Sequence, residues 1–413
     1  MKLIKTPTKG MNDYLPAEAA LRDYVMSVIA DEYYKNGFMR IETPAVEHIE
    51  NLTGKDGGEN EKLIFRILKR GEKLENAGEN DLCDSGLRYD LTLPLVRYYA
   101  NNSASLPMPF GAFQAGNVWR ADRPQKGRFR QFTQCDIDVI GDSTPNAEIS
   151  LLCAGSGALR RLGFSNFTIR VNDRRLLRGA ALCCGFPEEE LDNVFIILDK
   201  TDKIGREGVA AELVSSGFAA ETVEKYVSLY GQSYDSPSEF AAKIGGDAAA
   251  AAADIELIGR SVSGVLGEDR LVFDPTLVRG MSYYTGTIFE ISMDGYGYSV
   301  GGGGRYDGLI AKFTGQRVPA CGFSLGFERI VGALEDSGFR VPGAGKSVAV
   351  LAEKDISEEQ AEQMYRFASS LREGGARVLV APKMKNAGFQ KKTLEQAGFC
   401  EFFVWGADGK RVF

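Results

Sequence analysis

GNVWRADRPQKGRFRQFTQCDIDVIG, residues Gly116–Gly141, reads as two strands joined by a cationic loop. An alternating apolar run opens it, and Phe132–Ile140 closes it with the period-2 alternation of a half-buried strand. Between them Arg120, Arg123, Lys126, Arg128 and Arg130 fall within eleven residues, opposed only by Asp122. A loop with that many guanidiniums suits a polyphosphate, because the planar fork of Arg matches phosphate oxygens two at a time. A solvated basic hairpin would show the same charges. The strand behind the loop argues for a ligand: Gln134, Asp136 and Asp138 share one face, directly behind the cations. Cations beside an acidic, amide-bearing strand suit a molecule that carries both phosphate and amine.

The hairpin resembles motif 2 of the class II aminoacyl-tRNA synthetases, and RPQKGRFRQF is close to the wording of the histidyl-tRNA synthetase family. Leu277–Glu290 (LVRGMSYYTGTIFE) and Gly302–Leu309 (GGGRYDGL) resemble that family's two histidine signatures. Gly322–Ile330 (GFSLGFERI) resembles class II motif 3, with Arg329 as its arginine, and Leu87–Tyr98 (LRYDLTLPLVRY) resembles the strand facing the amino-acid pocket. These matches run in order over roughly residues 5 to 335.

Composition narrows the chemistry independently. The chain has 413 residues, 44% apolar and 25% charged, as in an ordinary globular protein of two or three domains. No apolar run approaches the ~18 residues that span a bilayer, and the N-terminus lacks a signal-peptide core, so a cytoplasmic protein with no membrane partner is expected. The net charge of −7 disfavours nonspecific nucleic-acid binding but leaves room for a local basic surface. Seven scattered cysteines give neither a zinc pattern nor a framework of disulfides, and most are expected to be buried and inert. The single histidine, His48, excludes His-rich metal sites and most Ser-His hydrolase designs. A general base would be a carboxylate, a substrate group or His48, and His48, just after an alternating strand, reads as structural.

Apolar positions at helical spacing predict a helix over 18–36, followed by a strand over Phe38–Pro44. From about 176 to 262 helical patterns dominate, including the run Ala248–Ala253, and the segment reads as a helical insertion into a strand-rich domain spanning 1–335. A Pro/Gly-rich linker covers 336–346, and alternating β and α patterns over 347–413 predict a small α/β domain with a mostly parallel sheet. Ser357 and Gln360 form a capping-box pattern, and Lys383, Lys385, Lys391 and Lys392 cluster around Phe389. The predicted fold is therefore α+β: a catalytic domain on a mostly antiparallel sheet with a helical insertion, plus a small C-terminal α/β domain.

The resemblance implies a ligase that activates L-histidine with ATP, using Mg2+, and passes it to tRNA(His). It assigns Arg120, Arg279 and Arg329 to catalysis, Arg120, Arg128 and Arg329 to ATP, and Asp90, Thr92, Gln134, Asp138, Tyr283 and Tyr284 to histidine. Gln125 and Arg130 would meet the tRNA acceptor end, no residue is assigned as a metal ligand, and Arg305-Tyr306 would close the glycine-rich wall. In that family the helix–strand–Pro unit ending at Pro44 is motif 1, which makes a homodimer. The insertion there reaches over the acceptor arm, and the C-terminal domain binds the anticodon but is usually longer than here. Met281-Ser282 stands where the family commonly has Leu-Asp, and Asp90 and Asp138 stand where many bacterial members have glutamate. The competing reading is a non-catalytic paralogue, the regulatory subunit of ATP phosphoribosyltransferase. Intact arginines at 120, 279 and 329 favour the ligase.

Overall fold

A computed structural model describes residues 3–53, 62–78, 81–125, 127–279, 283–342 and 345–413. Lys126, Met281 and Ser282 lie outside the described residues. The chain divides into two compact units: one of residues 1–12 and 28–333, the other of 13–27 and 334–413.

The strands of the first unit, in chain order, are β1 (Met39–Arg40), β2 (Val46–His48), β3 (Arg66–Leu68), β4 (Cys83–Leu87), β5 (Phe110–Trp119), β6 (Gln131–Ile140), β7 (Phe167–Asp173), β8 (Leu271–Phe273), β9 (Thr287–Met293), β10 (Ser299–Arg305) and β11 (Ala320–Leu325). Eight of them form one sheet in the order β1-β5-β6-β11-β10-β9-β7-β8. Only the two outer pairs, β1–β5 and β7–β8, are parallel; every inner pair is antiparallel. The cationic hairpin is the β5–β6 pair. It runs in unbroken register from Phe110↔Ile140 to Trp119↔Gln131, and this continuity puts Gln134, Asp136 and Asp138 on one face.

That register propagates across the sheet. Asp138 lies opposite Gly322 and Asp136 opposite Ser324, while Gly322 and Ser324 lie opposite Gly304 and Gly302. One face therefore alternates acid, amide and glycine. The other face is apolar: Ile137, Phe323 and Phe289 are buried there, and the helix Asn146–Arg161 packs on it. Small residues permit the close approach, since a Cβ on Gly155 would lie 2.3 Å from the Phe323 ring.

Between β7 and β8 the chain forms six α-helices, from Arg174–Cys184 to Ala248–Leu266, and they cluster with the sheet in the first unit. Asp173 caps the first by accepting the Arg175 N–H at 2.8 Å, and Gly185 ends it in the left-handed region at φ 102°. The alanine run starts the last helix and buries Ala248, Ala251 and Ala252.

Several expectations are corrected. Leu87–Tyr98 is not a strand: β4 stops at Leu87, and Thr92–Asn102 is a helix burying Leu93, Leu95, Val96 and Tyr99 at helical spacing. Pro94 is tolerated because it sits in the first turn, where its missing N–H has no intrahelical partner. The strand expected over Phe38–Pro44 shrinks to Met39–Arg40. Of the seven free cysteines only Cys135, Cys184 and Cys321 are buried, while Cys183 and Cys400 are exposed.

In the second unit, β12 (Ser347–Ala352), β13 (Arg377–Pro382), β14 (Glu401–Gly406) and β15 (Gly409–Val412) form a sheet in the order β13-β12-β14-β15. The first three are parallel; β15, which has no counterpart in the sequence expectations, returns antiparallel to β14. The capping box of Ser357 and Gln360 forms with both hydrogen bonds. Two of the four clustered lysines are engaged: Lys383 pairs with Glu353 at 3.0 Å, and Lys391 donates to the Phe413 carbonyl at 3.0 Å. Phe389 is 61% exposed beside them.

Arg305 faces the helix-packed side of the sheet, where Glu148 takes both Nε (2.8 Å) and Nη2 (2.7 Å), and the carbonyls of Asp142 and Thr144 and the Asp307 carboxylate also accept from it. It therefore does not line the glycine-rich wall, although Tyr306 does. Glu148 is 1% exposed. Arg305→Ala is expected to cost about 3–5 kcal/mol in urea unfolding, because it strands a buried carboxylate; a loss below about 1 kcal/mol would mean that the pair is solvated in solution.

Candidate active site

The acidic, glycine-bearing face of the sheet is the floor of a cleft of about 500 Å³. Asp90, Thr92, Arg120, Arg128, Gln134, Asp138, Arg279, Tyr283, Tyr284 and Arg329 all line it, so every residue expected at histidine or ATP reaches one cavity. Gln125 and Arg130 are not among the lining residues. Gln125 is exposed at the hairpin tip, bridging to Arg128 through backbone hydrogen bonds. Arg130 is half-buried, its Nε donating to the Asp122 carbonyl at 3.0 Å and its backbone N–H to Gly10 at 2.7 Å. His48 lies exposed on β2, away from the lining.

Missing side chains shape the floor as much as those present. A Cβ on Gly322 would stand 2.1 Å from Asp138 Oδ1, one on Gly302 2.3 Å from Arg279 Nη1, and one on Gly304 3.0 Å from the Tyr284 ring. The glycines therefore let Asp138, Arg279 and Tyr284 lie flat on the strands. The tyrosines are backed by the apolar cluster of Leu95, Tyr99, Phe110, Ile140 and Ile310. Gly116 serves similarly on β5: the buried Arg88 lies over it and ties the Asn117 carbonyl (3.0 Å) to that of Thr43 (2.8 Å).

One region of the cleft is acidic. Asp90, Asp136 and Asp138 are all buried, at 3%, 4% and 3% exposure. Burial is the main force raising all three carboxyls above their ordinary range. Asp136 is raised further by Asp138, and Asp138 by Asp90. The Leu93 N–H holds Asp90 back, and the Tyr306 hydroxyl, 2.6 Å from Asp138, holds Asp138 at about 7. Repelling buried carboxyls are relieved by a cation such as an ammonium.

The arginines form the cationic counterpart. Arg120 leaves the end of β5, donates from Nε to the Tyr89 carbonyl at 2.8 Å and rests against Phe132. Arg329 is the third residue of the helix Phe327–Asp336 and donates to the Ser299 carbonyl at 2.6 Å. Burial and the neighbouring Arg128 pull its pKa down, as expected of cations assembled for an anion. Burial also opposes the charge on Arg279, but Tyr284 and Glu290, the latter at 3.0 Å, more than offset it. An acidic region and a cationic region in one cavity can hold an amino acid by its ammonium and a nucleotide by its phosphates.

Asp136 and Glu290 were absent from the expected ligand set, and Tyr306, expected in the glycine-rich wall, has the further role of holding Asp138. The alternation of β6 had placed Asp136 on the right face, whereas the roles of Tyr306 and Glu290 depend on pairings between strands distant in sequence.

The buried acids carry a stability signature. Asp138 titrates near 7 in the folded chain and near 4 when unfolded, so the folded state holds its proton more tightly. Stability from this group is complete below about pH 4 and is lost as pH rises toward 7. Asp138→Asn should therefore gain stability relative to the parent between pH 4 and 8, by up to about 4 kcal/mol, since each pKa unit is worth ~1.4 kcal/mol. Parallel unfolding free energies for the two proteins across that range would refute it.

Comparison with known proteins agrees with this geometry. The family model described as histidyl-tRNA synthetase matches residues 10–330. A histidine--tRNA ligase of Leifsonia xyli subsp. xyli is 41% identical over 98% of this chain and 96% of its own length. One of Rhodopirellula baltica is 36% identical over 97% and 90%. The crystal structure of histidyl-tRNA synthetase from Nostoc sp. PCC 7120 superposes with a TM-score of 0.80 at 26% identity, covering 98% of this chain and 93% of that one. Motifs, sheet and comparisons agree, and the chain belongs to the histidyl-tRNA synthetase family.

Proposed function

We propose that the chain activates L-histidine with ATP to histidyl-adenylate, releasing pyrophosphate, and then transfers histidine to the 3′ end of tRNA(His). The observation that carries this reading is the convergence of Arg120, Arg279 and Arg329 with Asp90, Gln134 and Asp138 in one cleft.

Adenylation needs no proton transfer from the protein. The histidine carboxylate is already a nucleophile, and pyrophosphate leaves once its charge is neutralised, so alignment and charge stabilisation at the α-phosphorus suffice. Arg120 and Arg279 would approach the carboxylate and α-phosphate from opposite sides, while Arg329 and Arg128 hold the outer phosphates. Asp90, Thr92 and Gln134 would take the ammonium. Asp138, held by Tyr306, would with Tyr284 read the imidazole, leaving buried polar groups unpaired for any analogue that lacks them.

Among the described residues no group of three or more His, Cys, Asp or Glu forms a ready cation cage. That suits Mg2+ held mainly by phosphate oxygens and water, with Asp122 and Glu328 as the nearby cleft carboxylates. Bound there, Mg2+ would neutralise phosphate charge. His48 stands outside the cleft, which leaves a carboxylate or a substrate group to accept the proton in the transfer step.

Gln125, at the exposed hairpin tip, and Arg130 are the proposed contacts to the acceptor end, since amides and guanidiniums both read base edges. A homodimer through the helix Pro16–Lys35 and its following strand, and a cytoplasmic setting, complete the reading. Among the described residues no helix is long and apolar enough to cross a membrane. The presence of all three arginines in the cleft favours catalysis over a purely regulatory role.

The purified chain is expected to catalyse histidine-dependent exchange between pyrophosphate and ATP; a folded protein without exchange would refute the proposal. Arg279→Lys should lower kcat/KM by at least about tenfold, or ~1.4 kcal/mol, because an ammonium cannot span two oxygens in a planar fork. A smaller effect would place Arg279 outside the reaction centre. Gln125→Ala should impair aminoacylation of tRNA and spare the exchange, whereas equal loss of both would assign the hairpin tip to ATP alone.

A further inference from the structure

Arg279 enters the cleft from the segment after β8, and β7 holds that segment in two places. The first hold is on the backbone. Buried Asn172 donates to the carbonyls of Pro275 (2.9 Å) and Leu277 (3.1 Å), and the Asp274 N–H donates to the Val171 carbonyl at 2.9 Å. The second hold reaches the guanidinium. Arg170, Glu290 and Gly302 stand directly opposite one another on β7, β9 and β10, so they form one row on one face of the sheet. Gly302 leaves its place in that row open, and the Arg279 guanidinium fills it: a Cβ there would meet Cζ at 2.8 Å. The row therefore reads cation, anion, cation.

Each oxygen of Glu290 serves one of the two cations. Oε2 accepts from Arg279 Nη1 at 3.0 Å, and Oε1 lies 3.7 Å from Arg170 Nη1. Arg170 is fixed from its far side, because Asp274 Oδ2 accepts its Nε at 2.6 Å and its Nη2 at 2.5 Å. Asp274 is held in turn: its Oδ1 accepts the Thr276 N–H (2.9 Å) and hydroxyl (2.7 Å). Asp202, in the insertion helix Thr201–Ser215, also pairs with Arg170 at 3.3 Å, but it is 73% exposed and adds little. Arg170, Glu290 and Asp274 are only 23%, 21% and 18% exposed, so the attraction among them is weakly screened. Neither Arg170 nor Glu290 lines the cleft, so their effect on a ligand passes through Arg279.

A carboxylate binds a guanidinium most strongly with both oxygens at once. With Oε1 drawn to Arg170, Glu290 offers Arg279 a single oxygen and leaves the rest of the fork to Tyr284 and to an anion. Without Arg170, Glu290 can turn both oxygens on Arg279, occupy a second donor and draw the guanidinium off Gly302. We infer that Arg170 is a positioning residue for Arg279: by holding the second oxygen of Glu290, it keeps the guanidinium over Gly302 with donors turned to the reacting anions. The inference rests on the proposed function, in which those anions are the carboxylate of histidine and the α-phosphate of ATP.

The test is a double-mutant cycle in pyrophosphate exchange, with Arg170→Gln, Glu290→Gln and the two combined. Arg170→Gln should lower kcat at least about fivefold and leave the KM values for histidine and ATP within about twofold, since it alters the reach of Arg279 and not the shape of the cleft. Glu290→Gln removes the charge through which Arg170 acts. In that background, adding Arg170→Gln should change kcat by no more than about twofold. A merely structural Arg170 predicts the same loss in both backgrounds. Circular dichroism and thermal unfolding establish that each variant is folded. If Arg170→Gln is not, Arg170→Lys takes its place in the same cycle, because an ammonium cannot grip Asp274 and face Glu290 as the planar fork does. An unchanged kcat, or an equal loss in both backgrounds, overturns the role of Arg170. The unmodified protein run alongside separates the two ideas. Absence of exchange there defeats the proposed function and this inference with it, whereas normal exchange there with equal losses in both backgrounds defeats the inference only.

Discussion

Burial of three aspartates within one cleft is the constraint on which the rest of this structure depends. Asp90, Asp136 and Asp138 are each almost fully enclosed, and each is raised above the ordinary carboxyl range by the same burial. Such a cluster opposes folding and is held together by what surrounds it. The antiparallel ladder fixes Asp136 and Asp138 in register, the helix beginning at Thr92 offers an N–H to Asp90, and Tyr306 donates to Asp138. The fold spends stability here on buried carboxyls, and a bound cation would favour their ionised form. On the proposed reading, part of that stability is recovered when ligand binds.

The opposite requirement, close approach, is met by omission. Gly302, Gly304 and Gly322 face the same side as the acids, and each would collide with a residue proposed to touch ligand if it carried a Cβ. A sheet built of larger residues would lift Arg279 and Tyr284 off the floor and fill the cleft with its own side chains. Apolar support comes instead from behind, through Phe323, Phe289 and the small-residue face of Asn146–Arg161. The ligand side and the packing side of one sheet thus have different rules, and period-2 alternation lets a single sequence obey both.

This alternation also explains what could be read from the sequence and what could not. The β5–β6 hairpin was legible because both strands are continuous, their register is unbroken and the loop's charges are local. Arg305 was misplaced because its side depends on register. Between Ser299 and Gly301 the β9–β10 pairing shifts, and a run of four glycines carries no alternation that would betray the parity. Leu87–Tyr98 misled for a different reason: its pattern, LRYDLTLPLVRY, alternates at first and turns helical only beyond Asp90. The tertiary partners of Leu95 and Tyr99, which lie on β5, β6 and around Ile310, settle that choice. Fold class needed only local patterns, whereas the exact site needed contacts between residues more than a hundred positions apart, such as Tyr306 with Asp138.

A single histidine in 413 residues finally looks less like an oddity than a consequence. Joining a carboxylate to a phosphate is a matter of bringing two anions together, and the obstacle is repulsion and misalignment rather than proton transfer. The cleft meets both with one gradient, acids in one region and arginines in the other. On the proposed reading, an amino acid entering as a zwitterion would be oriented by that field before any specific contact forms, its ammonium toward Asp90 and Gln134 and its carboxylate toward Arg120 and Arg279. The orientation that satisfies the buried acids is also the one that presents the carboxylate to a phosphate held by arginines. On the proposed reading, therefore, recognition and catalysis are one electrostatic arrangement, and the buried carboxyls that strain the fold also aim the nucleophile.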